Sequence, residues 1–134
     1  MSGTAVPSRP LSFLAFDFGV KRVGVASGNT VLGAAQALTT ISDEGDRRFA
    51  RIDALIAEWQ PDALVVGVPF HPDGAEHDNT RRARRFARQL HGRFRLPVHE
   101  VDERYSTTEA AREGGDVDAA SAAVILDQYL RQLS

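Results

Sequence analysis

The sequence contains no cysteine, and Lys21 is its only lysine. The missing cysteines exclude thiol catalysis, disulfide scaffolds and thiolate metal sites, so a metal ion would have to be bound through oxygen or imidazole. No apolar run approaches the ~20 residues that a membrane-spanning helix needs. These absences predict a cytoplasmic protein with no membrane partner.

The length of 134 residues suits one domain that folds without disulfides or structural metals. We expect residues 1–10 to form a flexible tail and residues 11–134 to form a single domain. The formal net charge is −2, so the chain lacks the overall basic character of many nucleic-acid-binding proteins. Any basic surface must therefore come from the local distribution of charge.

Hydrophobic periodicity predicts three strands followed by helix, strand, helix, strand and helices. Strands are expected at 13–18, 23–27, 33–41, 63–68 and 97–102, with a turn at Gly28-Asn29. Four helices are expected. The first ends near Trp59, which is expected to lie in the core, and the second runs from Asn79 or Asp78 to about residue 93. A short helix from Ser106 and a last helix at 117–132 follow. This order predicts an α/β fold with a five-stranded mixed sheet flanked by helices.

Three acidic positions are candidates for chemistry. Asp17 interrupts an apolar strand, where a buried carboxylate costs several kcal/mol unless a partner such as a metal ion compensates it. Asp118 falls on the helical stripe that faces the sheet, whereas Asp116 and Asp127 fall on the outward side. Each position also has a structural explanation, because Asp17 could start a turn and Asp118 could complement the helix dipole.

The third candidate is the pair Asp102 and Glu103 at the end of the fifth strand. Adjacent strand residues point to opposite faces, so only one of them is expected to join Asp17, and periodicity alone does not say which. Carboxylates are hard oxygen ligands of the kind that Mg²⁺ or Mn²⁺ prefers. Together the three positions suggest hydrolysis of a phosphodiester by bound divalent ions.

The predicted second helix carries an arginine stripe. Its members are Arg81, Arg84, Arg85 and Arg88, and no acidic residue of the helix shares their face. The stripe is either a solvated face or a surface for phosphates of a nucleic acid. Among the four histidines only His71, in the loop after a strand, is a candidate for contacting substrate.

The motifs of this chain resemble those of a known family. The segment from Asp17 to Ala26, Gly67-Val68-Pro69 with Asp73-Gly74, the run from Asp102 to Thr107, and Asp118-x-Ala-x-Ala with Ile125-Leu126 are similar in order and spacing to the YqgF family, also called RuvX. Members of that family are described as Holliday-junction-resolvase-like proteins and as nucleases of precursor 16S ribosomal RNA. One departure is Tyr105, where the family usually has leucine.

The resemblance implies a ribonuclease H-like fold and a divalent-metal-dependent nuclease that processes the 5′ end of precursor 16S ribosomal RNA. It assigns catalysis and metal binding to Asp17, Glu103 and Asp118. The expected partners are a nucleic acid, RNA rather than DNA, and precursor ribosomal particles. Besides the arginine stripe, the candidates for binding that nucleic acid are Lys21, Arg22 and Arg104. The chain would act as a monomer or a homodimer.

Three alternatives remain open from the sequence. A Holliday junction resolvase acting on branched DNA has the same chemistry but generally needs a two-fold dimer. An actin-like ATPase or sugar kinase also begins with Asp-x-Gly, but it needs two lobes. A catalytically inactive nucleic-acid-binding module would not need the intact carboxylates.

Overall fold

The computed structural model describes residues 11–71, 73–103 and 117–133. The predicted tail, the short helix from Ser106, and the positions of Arg104, Tyr105 and Asp116 lie outside these residues. The elements are β1 (Ser12–Phe18), β2 (Val23–Asn29), β3 (Ala35–Ile41), α1 (Gly45–Trp59), β4 (Ala63–Pro69), α2 (Asp78–Phe94), β5 (Val98–Glu103) and α3 (Val117–Leu133).

The strands form one five-stranded sheet in the order β3-β2-β1-β4-β5. The pairs β1–β2 and β2–β3 are antiparallel, and the pairs β1–β4 and β4–β5 are parallel. The predicted mixed sheet with flanking helices is therefore confirmed. The ends of β1, β4 and β5 meet at one edge of the sheet, because parallel strands run in the same direction.

Helices cover the two faces of the sheet unequally. Leu14 and Phe16 of β1 pack with Phe49 of α1 and Phe86 of α2 on one face. Phe13 and Ala15, which alternate with them, pack against α3 on the other. Because side chains alternate along a strand, Asp17 continues the α3 side.

The predicted turn at Gly28-Asn29 is wrong, since both residues belong to β2. Gly28 pairs with Phe13 and with Ala35, and a Cβ atom at this glycine would lie 3.0 Å from Leu126 Cδ2 of α3. The glycine therefore allows close packing of the helix. The reversal comes after Asn29, whose Oδ1 accepts a hydrogen bond from the Leu32 amide at 2.9 Å.

Two other predictions about side chains are also wrong. Trp59 is 41 % exposed, because it lies in the last turn of α1 and lines a surface groove with Leu32 and Pro61. Asp127 was expected to point outward, but its Oδ1 accepts a hydrogen bond from the Ala35 amide at 2.8 Å. Helix α3 lies across β3, so this side of the helix contacts the start of the strand.

The N-cap of α2 is His77, and not Asn79 or Asp78 as predicted. Its Nδ1 accepts a hydrogen bond from the Asn79 amide at 3.1 Å, and Thr80 Oγ1 accepts one from the His77 amide at 3.1 Å. The buried Thr80 hydroxyl also donates to the Pro69 carbonyl. This capping box fixes the start of α2 against the end of β4.

Within the described residues, no helix is long and apolar enough to cross a membrane.

Candidate active site

Asp17 lies between two glycines in the centre of the sheet. In the strand register it pairs with Gly24 of β2 on one side and with Gly67 of β4 on the other. All three positions share the α3 face, because residues directly opposite each other in a sheet point the same way. Neither neighbour has a side chain, so other groups can approach the Asp17 carboxylate from both sides.

Gly24 allows α3 to approach the sheet. A Cβ atom at this position would overlap the Asp118 carbonyl oxygen and would lie 2.8 Å from the Ala119 amide nitrogen. An approach this close requires a residue with no side chain. It brings the first turn of α3, and with it the half-buried Asp118 carboxylate, next to the row that contains Asp17.

Gly67 leaves room for the carboxylate of Glu103. A Cβ atom here would overlap Glu103 Oε2 and would lie 2.9 Å from Ile125 Cγ1. Glu103 lies two residues after Val101, so its side chain points to the same face of the sheet, where Val101 packs in the core beside α3. Asp102 points to the opposite face and is exposed. The geometry thus brings Glu103, and not Asp102, to the side of the sheet on which Asp17 lies.

The electrostatics show that these carboxylates act on one another. Burial, and secondarily the charge of Asp118, raises the pKa of Asp17 from 3.8 to about 6. Burial, and secondarily the charge of Asp17, raises the pKa of Glu103 from 4.5 to about 8. We call Asp17, Glu103 and Asp118 the carboxylate cluster; Asp17 is the member that interacts with both others.

The β1–β2 turn contributes a basic residue, Arg22, to the surroundings of this cluster. Arg22 Nε is 2.9 Å from Asp118 Oδ2, which forms an ion pair between the turn and α3. Lys21 is exposed next to it. The structure therefore brings a predicted phosphate-binding residue, Arg22, into direct contact with a predicted metal ligand.

The carboxylates of the cluster are suitable ligands for a divalent cation, but in this structure they are not close enough together to hold one. Among residues 11–71, 73–103 and 117–133, no group of three or more acidic or imidazole side chains is close enough to hold a metal ion together. Burial first, and repulsion by a neighbouring carboxylate second, raise the pKa values of Asp17 and Glu103 and thus disfavour their charged forms. A hard cation would offset this effect, and carboxylate oxygens are its preferred ligands.

Comparison with known proteins identifies the family. A family model described as "RuvX: Holliday junction resolvase" matches residues 11–132. The chain belongs to the RuvX family. The resemblance predicted from the sequence motifs is thereby confirmed.

Relatives in three bacteria carry the name "Putative pre-16S rRNA nuclease". The protein of Albidiferax ferrireducens is 64% identical over 123 residues, 91% of this chain and 79% of the relative. That of Polaromonas sp. is 59% identical over 137 residues, 99% of both chains. That of Burkholderia pseudomallei is 54% identical over 135 residues, 95% of this chain and 92% of the relative. The predicted nuclease activity agrees with these names and with that of the RuvX family.

Solved structures with this fold are much more distant in sequence. "T. thermophilus RuvC in complex with Holliday junction substrate" matches with a TM-score of 0.57 at 13% identity, over 92% of this chain and 95% of that one. Archaeoglobus fulgidus Pelota matches with a TM-score of 0.53 at 11% identity, over 94% of this chain and 35% of that one. The predicted ribonuclease H-like fold is confirmed for this RuvX-family chain, and these two likenesses show the fold alone.

The arginine stripe of this RuvX-family chain lies away from the carboxylate cluster. Helix α2 packs on the sheet face opposite to α3. Arg84 is held by Glu76 at 2.7 Å and Glu100 at 3.5 Å, and Arg81 is held by Asp78 at 2.6 Å. The sequence suggested phosphate binding by the stripe but gave no information on which face of the sheet its helix covers.

Arg85 and Arg88 differ from the other two members of the stripe. Both side chains are exposed, and within the part of the chain that the structure describes neither forms an ion pair. These two arginines are therefore the members that remain available to an anionic partner. His71 contacts the ring of His77 with 4.7 Å between the centroids, so it lies beside the start of α2.

Sequence reasoning missed the roles of Gly24 and Gly67 in shaping the site. Gly67 and Gly24 each belong to a motif of the sequence. The spacing of the motifs does not explain why these two positions need a residue without a side chain. The signal that could have found them is an interruption of a buried strand by glycine, which often marks a close approach of another group. That both glycines lie opposite Asp17 can be seen only once the pairing of the strands is known.

Proposed function

We propose that this chain is a divalent-metal-dependent nuclease that hydrolyses phosphodiester bonds and processes the 5′ end of precursor 16S ribosomal RNA. The observation that carries the proposal is the carboxylate cluster. Asp17 lies between two glycines, the Glu103 carboxylate lies over one of them, and α3 brings Asp118 over the other. The two glycines let Glu103 and the start of α3 approach Asp17, and the neighbouring carboxylates repel its charge, an arrangement that suits binding of a cation.

Asp17, Glu103 and Asp118 would hold the metal, Mg²⁺ or Mn²⁺. When bound, such ions supply an activated water and neutralise charge on the leaving oxygen. The residues of the chain itself position the substrate: Lys21 and Arg22 lie at the same edge of the sheet, where their cations can bind the phosphates next to the scissile bond.

The metal requirement is tested with purified protein stripped of metal by a chelator. Mg²⁺ or Mn²⁺ should restore cleavage of a labelled RNA, and Ca²⁺ serves as a comparison. Asp17→Asn, Glu103→Gln and Asp118→Asn should each lower the rate at least about 100-fold, because the amide keeps the shape but loses the ligand charge. The matched control is Asp102→Asn, an exposed neighbour with the same chemistry, which should keep near-normal activity.

Two results would overturn the metal-nuclease proposal. One is full activity in Asp17→Asn with the fold intact. The other is an equal loss in Asp102→Asn and Glu103→Gln, which would mean that charge in general, and not the orientation toward Asp17, is what matters.

The substrate assignment is supported by the names of the relatives, which specify pre-16S rRNA. Physical considerations favour the same choice, because the cations beside the site are few and suit one flexible strand. A four-way junction would instead require a symmetric basic surface on a dimer. The site of action would be the cytoplasm, with precursor ribosomal particles as partners.

The alternative, resolution of a Holliday junction, is supported by the description of the family model. Initial cleavage rates on a 5′-extended 16S precursor fragment and on a synthetic four-way junction, at equal metal and salt, distinguish the two. Faster cleavage of the RNA is expected. Faster, paired and symmetric incision of the junction would overturn the RNA assignment and leave the metal chemistry standing.

A further inference from the structure

Helix α1 contains a buried arginine that the carboxylate cluster does not explain. Arg48 is 6 % exposed, whereas its neighbour Arg47 is exposed. Burying a guanidinium is costly unless its donors find acceptors. The position of those acceptors therefore indicates what the residue does.

The Arg48 guanidinium binds two backbone carbonyls of different segments. Its Nη2 donates to the Val20 carbonyl at 2.9 Å, and its Nε donates to the Asp43 carbonyl at 3.0 Å. The guanidinium carbon also lies 5.7 Å from the centroid of the Phe18 ring. Arg48 thus ties the turn after β1 to the segment that leads into α1.

That turn carries the cations beside the carboxylate cluster. It reverses the chain between Phe18 and Val23, and it is tight: a Cβ atom at Gly19 would lie 2.6 Å from the Arg22 carbonyl oxygen. Arg48 holds it from the α1 side through Val20. Arg22 holds it from the α3 side through Asp118 at 2.9 Å. Through this turn, the two arginines therefore connect α1 on one face of the sheet with α3 on the other face.

We propose that Arg48 is a positioning residue, which fixes the Gly19–Arg22 turn so that Lys21 and Arg22 are held beside the carboxylate cluster for binding the nucleic-acid backbone. The part that concerns nucleic acid rests on the proposed nuclease function. The part that concerns the turn does not, because it depends only on the hydrogen bonds and packing of Arg48.

Backbone ¹⁵N order parameters of the full chain test the turn directly. In Arg48→Met, which keeps the length but removes every donor, the order parameters of residues 20–22 should fall from about 0.85, the value of a rigid backbone, to below about 0.6. Order parameters in β1 and β4, which should not change, show that the fold is intact, and Arg47→Met on the exposed side of α1 should match the wild type. If Arg48→Met does not fold, Arg48→Lys, which retains the charge without the fork, replaces it.

Kinetics test the functional half. A turn that no longer positions its cations should raise KM for a short RNA about tenfold with kcat little changed, because these cations act on bound substrate and transition state alike. In a Lys21→Gln/Arg22→Gln background, Arg48→Met should add almost nothing to KM.

Each result decides the proposal. Unchanged order parameters at residues 20–22 in the Arg48 variant overturn it. So does a loss of order there with an unchanged KM, or an undiminished effect of Arg48→Met in the Lys21/Arg22 background. An inactive wild-type protein would refute the nuclease proposal instead, while binding of the same RNA and the order parameters would still test the role of Arg48.

Discussion

The two faces of the sheet are built from residues of different size. On the side of α1 and α2, large rings fill the space: Phe86 lies 6.0 Å from Phe16, 5.0 Å from Phe18 and 6.0 Å from Phe49, measured between centroids. On the side of α3, small residues bring the helix backbone close, as at Gly24. The second face also has a packed core, which includes Phe13 and Leu126, but its glycines leave room for charged groups at the end of β1.

This difference explains why the acids lie where they do. A carboxylate among the phenylalanine rings would have no partner and no access to ions. On the α3 side, Asp17 lies near the end of the central strand β1, between glycines, at the same end of the sheet at which β4 and β5 also end. The sheet therefore has the large aromatic core on one face and the carboxylate cluster on the other, with the Gly19–Arg22 turn held from both, and the following predictions test this division in order of their expected effect on stability.

The largest effect on stability is expected from Phe86→Ala. Removing the ring that contacts three others should lower the free energy of unfolding by about 3–5 kcal/mol, measured by denaturant unfolding. Cleavage per folded molecule should fall at most a few-fold, because Phe86 packs against Phe18 but lies on the opposite face of the sheet from the carboxylates. A selective loss of activity in conditions where the variant is fully folded would contradict the separation of the two faces.

In contrast to Phe86→Ala, Gly67→Ala should reduce activity more than stability. The added methyl group overlaps Glu103 Oε2 and Ile125, so overpacking should cost about 1–3 kcal/mol of stability. The displaced Glu103 carboxylate should reduce cleavage by about 100-fold, well beyond the unfolded fraction. Gly92→Ala is a matched control, since nothing lies within 4 Å of a Cβ atom at that exposed helical glycine. Normal activity in Gly67→Ala would show that cleavage does not depend on the position of the Glu103 carboxylate.

The pH dependence of stability should also come from the α3 side. The pKa of Asp17 is raised to about 6 and that of Glu103 to about 8, so the metal-free folded state binds protons more tightly than the unfolded state. Both groups then favour folding at acidic pH, and their contribution is lost as pH rises from about 4 to about 8. The melting temperature without metal should fall across this range.

Two comparisons sharpen this pH prediction. Glu103→Gln, which cannot ionise, should flatten the fall, and Mn²⁺ at pH 8 should raise the melting temperature of the wild type more than that of the variant. A melting temperature that rises with pH in metal-free protein would show that the two carboxyl groups are not the controlling groups.

The smallest effect on stability is expected at the arginine stripe. Replacing Arg85 and Arg88 together with glutamine should leave the melting temperature nearly unchanged, since both are exposed. If they bind phosphates, the logarithmic salt dependence of RNA binding should flatten by roughly 0.7 for each phosphate that is no longer neutralised. Arg81 and Arg84, which are paired with acids, provide the comparison pair and should flatten it less. An unchanged slope would leave the stripe as a solvated face.

Much of the fold could be predicted from the sequence because its signals are local. Alternating and continuous apolar runs indicated the five strands, and helical spacing indicated α1, α2 and α3 to within a few residues. The errors fell where a distant group decided the outcome. Gly28 was interpreted as a turn residue, but it packs against Leu126 of α3. His77 was not considered as a cap, because histidine seldom serves as one.

The candidate site divides in the same way. The sequence by itself determined that Asp17 is an acid in an apolar strand, that Asp118 faces inward, and that one of Asp102 and Glu103 joins them, because each follows from a helical or strand period. Only the tertiary structure decided that Glu103 is the one oriented toward Asp17, that Gly24 and Gly67 make the space, that Arg48 fixes the turn, and that the arginine stripe lies on the other face. The physical reason is that these facts depend on strand register and on which face each helix covers, and both are set by contacts between residues far apart in the chain.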